Sequence, residues 1–220
     1  MNHKLTRALA AGLFSLSAGW TAQAAGIPAL VNFDPPNSPQ GPSIFVAVPG
    51  PQTITTTPAT FSGGVLLGFA TFFPAIAFAS APNVYGTADF GNHLAKELTI
   101  DINPAYMTTE VSFALFNGET FNQSYVVNAF NGTSVVASQT LANIAPNFNS
   151  GYALADLVSL AGITKVTIAP TGAPSVWDFL IDSVAFNQNI TSVIRIRPLR
   201  SAMLRVDTNR PSGTRMKAVA

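Results

Sequence analysis

Residues 108–116 read Thr-Thr-Glu-Val-Ser-Phe-Ala-Leu-Phe. In an extended chain Val111, Phe113 and Leu115 fall on one face and Glu110, Ser112 and Ala114 on the other, a period of two rather than 3.6. That alternation marks a half-buried strand. Asn117-Gly118 ends it, and residues 124–130 resume as Ser-Tyr-Val-Val-Asn-Ala-Phe before Asn131-Gly132, a dipeptide that tolerates the positive φ of a tight hairpin turn. Residues 134–139 continue the meander.

Working outward, the same kind of short run recurs at 29–33, 44–48, 65–71, 97–102, 165–169 and 176–186. About nine strands, with turn residues between them, imply an all-β antiparallel sandwich. Tyr152 to Leu160 is the exception. Leu154, Leu157, Val158 and Ala161 follow helical spacing and predict one short helix of one or two turns.

The 220 residues are 48% hydrophobic and only 10% charged, which excludes a nucleic-acid binder, a coiled coil and a charged disordered chain. The net charge of +1 averages unlike regions. Residues 26–189 hold nine acids against Lys96 and Lys165, whereas residues 190–220 hold seven basic residues against Asp207. Residues 1–24 carry Lys4 and Arg7, then an uncharged run from Ala8 to Trp20, with small residues at Ala22 and Ala24. This pattern predicts a signal peptide cut before Ala25, and hence a secreted protein. The stretch from Phe61 to Ser80 is apolar, but Ser62, Gly63, Gly64, Thr71 and Pro74 interrupt it and no basic residue flanks it, so no membrane span is expected. With no cysteine, disulfides, thiol catalysis and cysteine-based zinc sites are excluded, and the core must carry stability alone.

Five segments bear a family resemblance: Leu-Val-Asn-Phe-Asp (30–34), Thr-Phe-Ser-Gly-Gly (60–64), Asn-Val-Tyr-Gly-Thr (83–87), Val-Ser-Phe-Ala-Leu-Phe-Asn (111–117) and Trp-Asp-Phe-Leu-Ile-Asp-Ser-Val-Ala-Phe (177–186). Together they resemble secreted bacterial jelly-roll proteins of the kind that carry a PEP-CTERM sorting tail, and are similar to carbohydrate-binding modules of the galactose-binding-like type. The resemblance implies an antiparallel jelly-roll sandwich over residues 25–189. It fails after residue 193, where Ile-Arg-Ile-Arg-Pro opens a basic tail in place of the sorting signal. Residues 190–220 are therefore expected to be an unfolded, solvated end. A basic arm for an anionic surface and a reading-frame artefact are the alternatives. In such modules an aspartate of the last strand meets an acid of the first at a structural calcium ion. Asp182 matches the former and Asp34 is its partner by resemblance, while Ser183 departs from the acid or amide common there. The alternative is that Asp182 caps a bend or accepts hydrogen bonds from backbone N–H groups.

Catalysis has few parts. Beyond the leader only His93 remains, and no Gly-x-Ser-x-Gly elbow, His-Glu-x-x-His pair or phosphate-binding glycine loop is present. Glycoside hydrolysis needs only two carboxylates, for which Asp89, Glu97, Asp101, Glu110 and Glu119 are available. Sugar binding needs exposed rings, and Tyr85, Tyr106 and Trp177 are the candidate ligand-binding residues, with Asn83, Asn92, Asn103 and Asn117 as hydrogen-bonding partners. The leading reading is a secreted, non-catalytic protein that binds a polysaccharide or extracellular matrix polymer outside the cell or at its surface. A structural or adhesive envelope component and a carboxylate-based glycosidase are the alternatives.

Overall fold

A computed structural model describes residues 25–36, 51–68, 78–80, 82–86, 97–146, 151–172 and 179–195. Within them the strands are β1 (Ala29–Val31), β2 (Gln52–Thr55), β3 (Ala59–Gly68), β4 (Asn83–Gly86), β5 (Leu98–Ile102), β6 (Glu110–Asn117), β7 (Gln123–Asn131), β8 (Ser134–Ile144), β9 (Tyr152–Val158), β10 (Lys165–Pro170) and β11 (Phe179–Phe186). A 3-10 turn covers Pro104–Tyr106 and one short helix, α1, covers Ile190–Arg195. Nine strands follow one path, β8-β7-β10-β5-β3-β4-β11-β6-β9, with β1 added to β11 and β2 to β3. Every pairing is antiparallel. The path curls until its ends approach, where the Gln139 side chain on β8 accepts from the Asp156 N–H on β9 at 2.9 Å. The result is the expected all-β sandwich, nearly closed like a barrel.

The turn from one half of the sandwich to the other is made in β3. Up to Ser62 the strand pairs with β5 and from Val65 with β4, while β2 runs beside it from Thr60 to Gly64. Gly63 has φ +85°, and a Cβ there would lie 2.1 Å from the Glu97 carbonyl oxygen, so only glycine fits this corner. Phe33, Phe61, Tyr85, Phe113, Tyr125 and Phe179 fill the interior. A second apolar layer lies on the outside of one half, where Val65, Leu67, Val84, Phe116 and Leu180 pack with Phe78 and with Ile190 of α1. All eight residues of β11 are consequently buried, so the strand is apolar on either side of Asp182 and Ser183. In the other half β7, β5 and the start of β3 alternate buried and accessible residues, while β8 is mostly accessible and β10 buries Val166, Thr167 and Ile168 in succession.

The predicted helix at 152–160 is a strand. Residues 152–158 pair with β6 from Phe116↔Tyr152 to Glu110↔Val158, with Ala155 and Leu157 buried and Asp156 and Val158 exposed. A true period of two was hidden there by small alanines and by leucines on both faces. β2 and β4 were not anticipated: β2 is a polar edge strand, and β4 is buried throughout, so neither alternates clearly. Packing also runs past residue 189, because Ile190 is buried and α1 is ordered. The leader at 1–24, the strand proposed at 44–48, Asp89, Asn92, His93, Trp177 and the chain beyond 195 lie outside the described residues. Among the described residues no helix is long and apolar enough to cross a membrane.

Candidate functional site

Two places concentrate polar groups. The first is a break in the sheet along β11. One edge of β11 pairs with β6; the other pairs with β4 at Leu180 and Ile181, then with β1 from Val184 to Phe186. β1 and β4 thus stand end to end, with Asp182 and Ser183 facing the gap. A bulge between Asp182 and Ala185 puts one extra residue into β11, and Ser183 adopts φ 53°.

Side chains close the break. The Asp182 Oδ2 accepts from the Ser80 N–H at 2.5 Å and from the Ser80 hydroxyl at 2.8 Å, while Oδ1 accepts from the Ser183 N–H at 2.6 Å. Asp34 Oδ1 accepts from the Asn83 N–H at 2.9 Å, and the Asn83 amide donates to the Phe33 carbonyl. Ser183 Oγ donates to the Phe78 carbonyl, and the single proton of the Ser80 hydroxyl is shared between Asp182 Oδ2 and the Asn32 carbonyl 3.0 Å away. Phe33 and Phe78 also carry positive φ, 52° and 68°. Three non-glycine residues in the left-handed region around one pair of aspartates is backbone strain held by a satisfied polar network.

Asp182 is fully buried. Its carboxyl is pushed up to about 8, mainly by burial; the donors of Ser80 and Ser183 pull it down, and the negative charge of Asp34 adds to the rise. The two aspartates singled out by resemblance are therefore brought within electrostatic reach of each other, and Asp182 also accepts backbone N–H bonds as the alternative reading has it. The acceptors around the break are the two carboxylates and the carbonyls of Asn32, Phe33 and Phe78, each carbonyl already taking a side-chain hydrogen bond; oxygen is the ligand type that suits calcium. Among the described residues no group of three or more His, Cys, Asp or Glu side chains forms, so carbonyls have to complete any such shell. Ser80, which makes the most direct contact with Asp182, was not anticipated, and no local signal in the sequence marks it.

The second place is the accessible face of β8, β7, β10, β5 and β3. Phe130, half-buried on β7, lies under the Lys165 ammonium, which is 4.6 Å from the ring centroid. Lys165 stands opposite Asp101 on β5. Beyond Asp101 a shallow hollow of about 340 Å³ is lined by Thr55, Thr56, Thr57, Thr60, Asp101 and Asn103, among others.

The predicted sugar platforms fare differently. Tyr85 is a core residue, 0% exposed, stacked on Phe33 with centroids 5.4 Å apart. Its hydroxyl donates to the Gln52 carbonyl at 2.6 Å and accepts from the Gly64 N–H, and burial pushes its pKa up to about 12. It offers no face to a ligand. The half-buried Tyr106 ends the 3-10 turn that Asn103 caps, beside the threonine hollow. Asn83 and Asn117 are buried structural amides; Asn117 binds the Phe121 and Ile144 carbonyls and the Tyr125 hydroxyl.

Of the candidate hydrolytic acids Asp89 lies outside the described residues, and among the described ones the acidic neighbour of Glu110 is not one of the five. Glu110 instead approaches Asp156, and its carboxyl is raised by burial first and by the Asp156 charge second. Asn189 binds Asp156 Oδ2 at 2.7 Å and also opposes the rise at Glu110, while its own oxygen accepts from the Thr191 N–H of α1. That trio anchors the helix.

No family model and no curated protein matches the chain. Solved structures are similar to it only at a distance. The K2 cleaved adhesin domain of Lys-gingipain is 15% identical over 73% of this chain and 99% of its own, with a TM-score of 0.43. The K3 cleaved adhesin domain of Lys-gingipain from Porphyromonas gingivalis W83 is 10% identical over 58% and 91%, at 0.35. A family 29 carbohydrate binding module is 10% identical over 76% of this chain and 93% of its own, also at 0.35.

Proposed function

We propose that this chain is a secreted, non-catalytic β-sandwich protein that binds a glycan or extracellular matrix polymer at or outside the cell surface. The observation that carries this reading is the contrast between the two halves of the sandwich. One half is closed on its outside by an apolar layer and α1. The other presents hydroxyls, an amide, the Phe130 ring and one Lys165–Asp101 pair, the mixture of hydrogen-bonding groups and apolar surface that a sugar polymer uses. The carboxylates that do approach each other serve structure, Asp34 and Asp182 at the sheet break and Glu110 with Asp156 under α1. Export follows from the leader pattern of residues 1–24.

A structural calcium ion held by Asp34 and Asp182 belongs to the same reading. It would take the place of the Asp182 proton beside Asp34, whose charge adds to the rise at Asp182. The test of function is retention of the purified chain from Ala25 onward by a set of polysaccharides in affinity gels. Binding to at least one is expected, and retention by none overturns the reading.

A further inference from the structure

Where β7 begins, β8 finishes and β10 runs out, one end of the accessible half gathers side-chain amides beside an exposed ring. Gln123 opens β7 opposite Ile144, the last residue of β8. The Asn143 N–H donates to Ser124 Oγ at 2.9 Å, and the exposed Asn122 amide donates to Oδ1 of the exposed Asn143 at 3.1 Å. Thr171, one residue past β10, donates from its N–H and its hydroxyl to the Ser124 carbonyl. Phe121 stands just before them and is 48% exposed. Its carbonyl accepts from the fully buried Asn117 amide at 2.8 Å, so its backbone is tied to the core while its side chain stays in water.

Gln123 is the informative member. It is only 9% exposed, and its Oε1 accepts from the Ser124 N–H at 3.0 Å, which fixes the amide with Nε2 on its other side. That nitrogen is buried and has no hydrogen-bond partner. It is aimed at Gly172, an exposed residue on which a Cβ would stand 3.0 Å from Nε2 and 3.7 Å from Oε1. An amide donor taken from water without an acceptor destabilises the fold, so a group that completes it from outside binds with advantage. We propose that this end of the sandwich binds a neutral glycan: a sugar ring lays its apolar face on Phe121, and a sugar oxygen entering over Gly172 accepts from Gln123 Nε2, with the Asn122 and Asn143 amides beside it. Phe121 and Gln123 are two residues apart, at most about 7 Å along the chain, so one or two sugar rings reach both. This rests on the glycan-binding reading and gives it a place and a ligand class. Neutrality follows from charge. Among the described residues Glu119 lies in the β6–β7 turn, whereas Lys165 stands at the opposite end of β10 from Thr171, so an anionic polymer meets an acid and no cation.

The experiment is affinity electrophoresis of the chain from Ala25 onward in gels containing hydroxyethylcellulose, glucomannan or alginate. Thermal melting is measured alongside for wild type, Phe121→Ala, Phe121→Tyr, Gly172→Ala and, on α1 at the opposite half, Ser192→Ala. Wild type is expected to be retarded by a neutral polymer and not by alginate. Phe121→Ala removes the ring, and Gly172→Ala sets a methyl group against Nε2. Each should weaken retardation about tenfold at a melting temperature close to that of wild type, since both positions are exposed. Phe121→Tyr, which keeps the ring, and Ser192→Ala should bind as wild type. Retardation of Phe121→Ala or of Gly172→Ala equal to wild type overturns this end as the place while leaving glycan binding intact, and retardation by alginate alone overturns the neutral class. No retardation of wild type in any gel overturns glycan binding itself, and this site with it.

Discussion

Ser80 and Asp182 are 102 residues apart in the chain, yet two donors of Ser80, its N–H and its hydroxyl, reach the same carboxylate oxygen of Asp182. This contact stitches the loop before β4 onto the bulge of β11, where β1 and β4 leave the sheet unpaired. Asp182→Ala strands the N–H groups of Ser80 and Ser183 and the Ser80 hydroxyl together. It should destabilise the protein by about 3 kcal/mol or more, whereas Ser80→Ala, which removes only one hydroxyl, should cost about 1 kcal/mol. Urea denaturation of the two variants measures the difference. Equal losses would mean that the carboxylate is not the hub of the junction.

The same burial sets a pH dependence. The Asp182 carboxyl binds its proton more tightly folded, at about 8, than unfolded, near 3.8. The folded state therefore gains from protonation, and stability from this group is greatest below the unfolded value and declines as pH rises from about 4 to about 8, levelling above. Asp34 is the acid that faces it and adds to the shift. In chelator, the melting temperature should fall between pH 5 and pH 8, and Asp182→Asn should flatten that slope. An unchanged slope in the variant assigns the effect to other groups.

Much of this architecture was legible because one-sided burial writes itself as alternation. β7 alternates buried and accessible residues in this way, whereas β6 forms where Val111, Phe113 and Leu115 place it but is buried on both faces rather than half-buried, since Ser112, Ala114 and Phe116 are covered too. Where both faces are covered the code fades: Asn83–Gly86 is buried throughout, and its strand passed unseen. In β9 the leucines at 154 and 157 lie on opposite faces and imitate a helix. The pairing of Asp34 with Asp182 came from resemblance. Ser80 did not, since its place depends on which strands become neighbours, and register is a property of the folded sheet.

Tyr85 tests the corner where the two halves meet. Its hydroxyl is the only part of the ring with polar work to do, linking the Gln52 carbonyl to the Gly64 N–H one residue after the Gly63 bend. Tyr85→Phe keeps the stack on Phe33 but leaves both backbone groups without that partner, so a loss of about 1–3 kcal/mol is expected in a denaturant titration. Glycan binding should persist, because the ring is not exposed. Lost binding with unchanged stability would return Tyr85 to the ligand site.

Calcium ties the two aspartates to a measurement. An ion that binds only the folded state stabilises it by RT ln(1 + [L]/Kd), about 2.7 kcal/mol at 100 times Kd, which raises the melting temperature of a domain this size by several degrees. Ion and proton compete for Asp182, so the increment should be small at pH 6 and grow as pH rises through about 8, where the carboxyl ionises. Calcium should thus cancel the alkaline decline described above. Asp34→Asn and Asp182→Asn should each abolish most of the increment, whereas Glu110→Gln, which lies in the other acidic pair, should retain it. Differential scanning calorimetry in calcium and in chelator, at pH 6 and pH 9, checks each step. Equal melting temperatures at pH 9 would remove the ion and leave Asp182 as a buried acid, protonated at neutral pH, whose work is to hold Ser80 and Ser183.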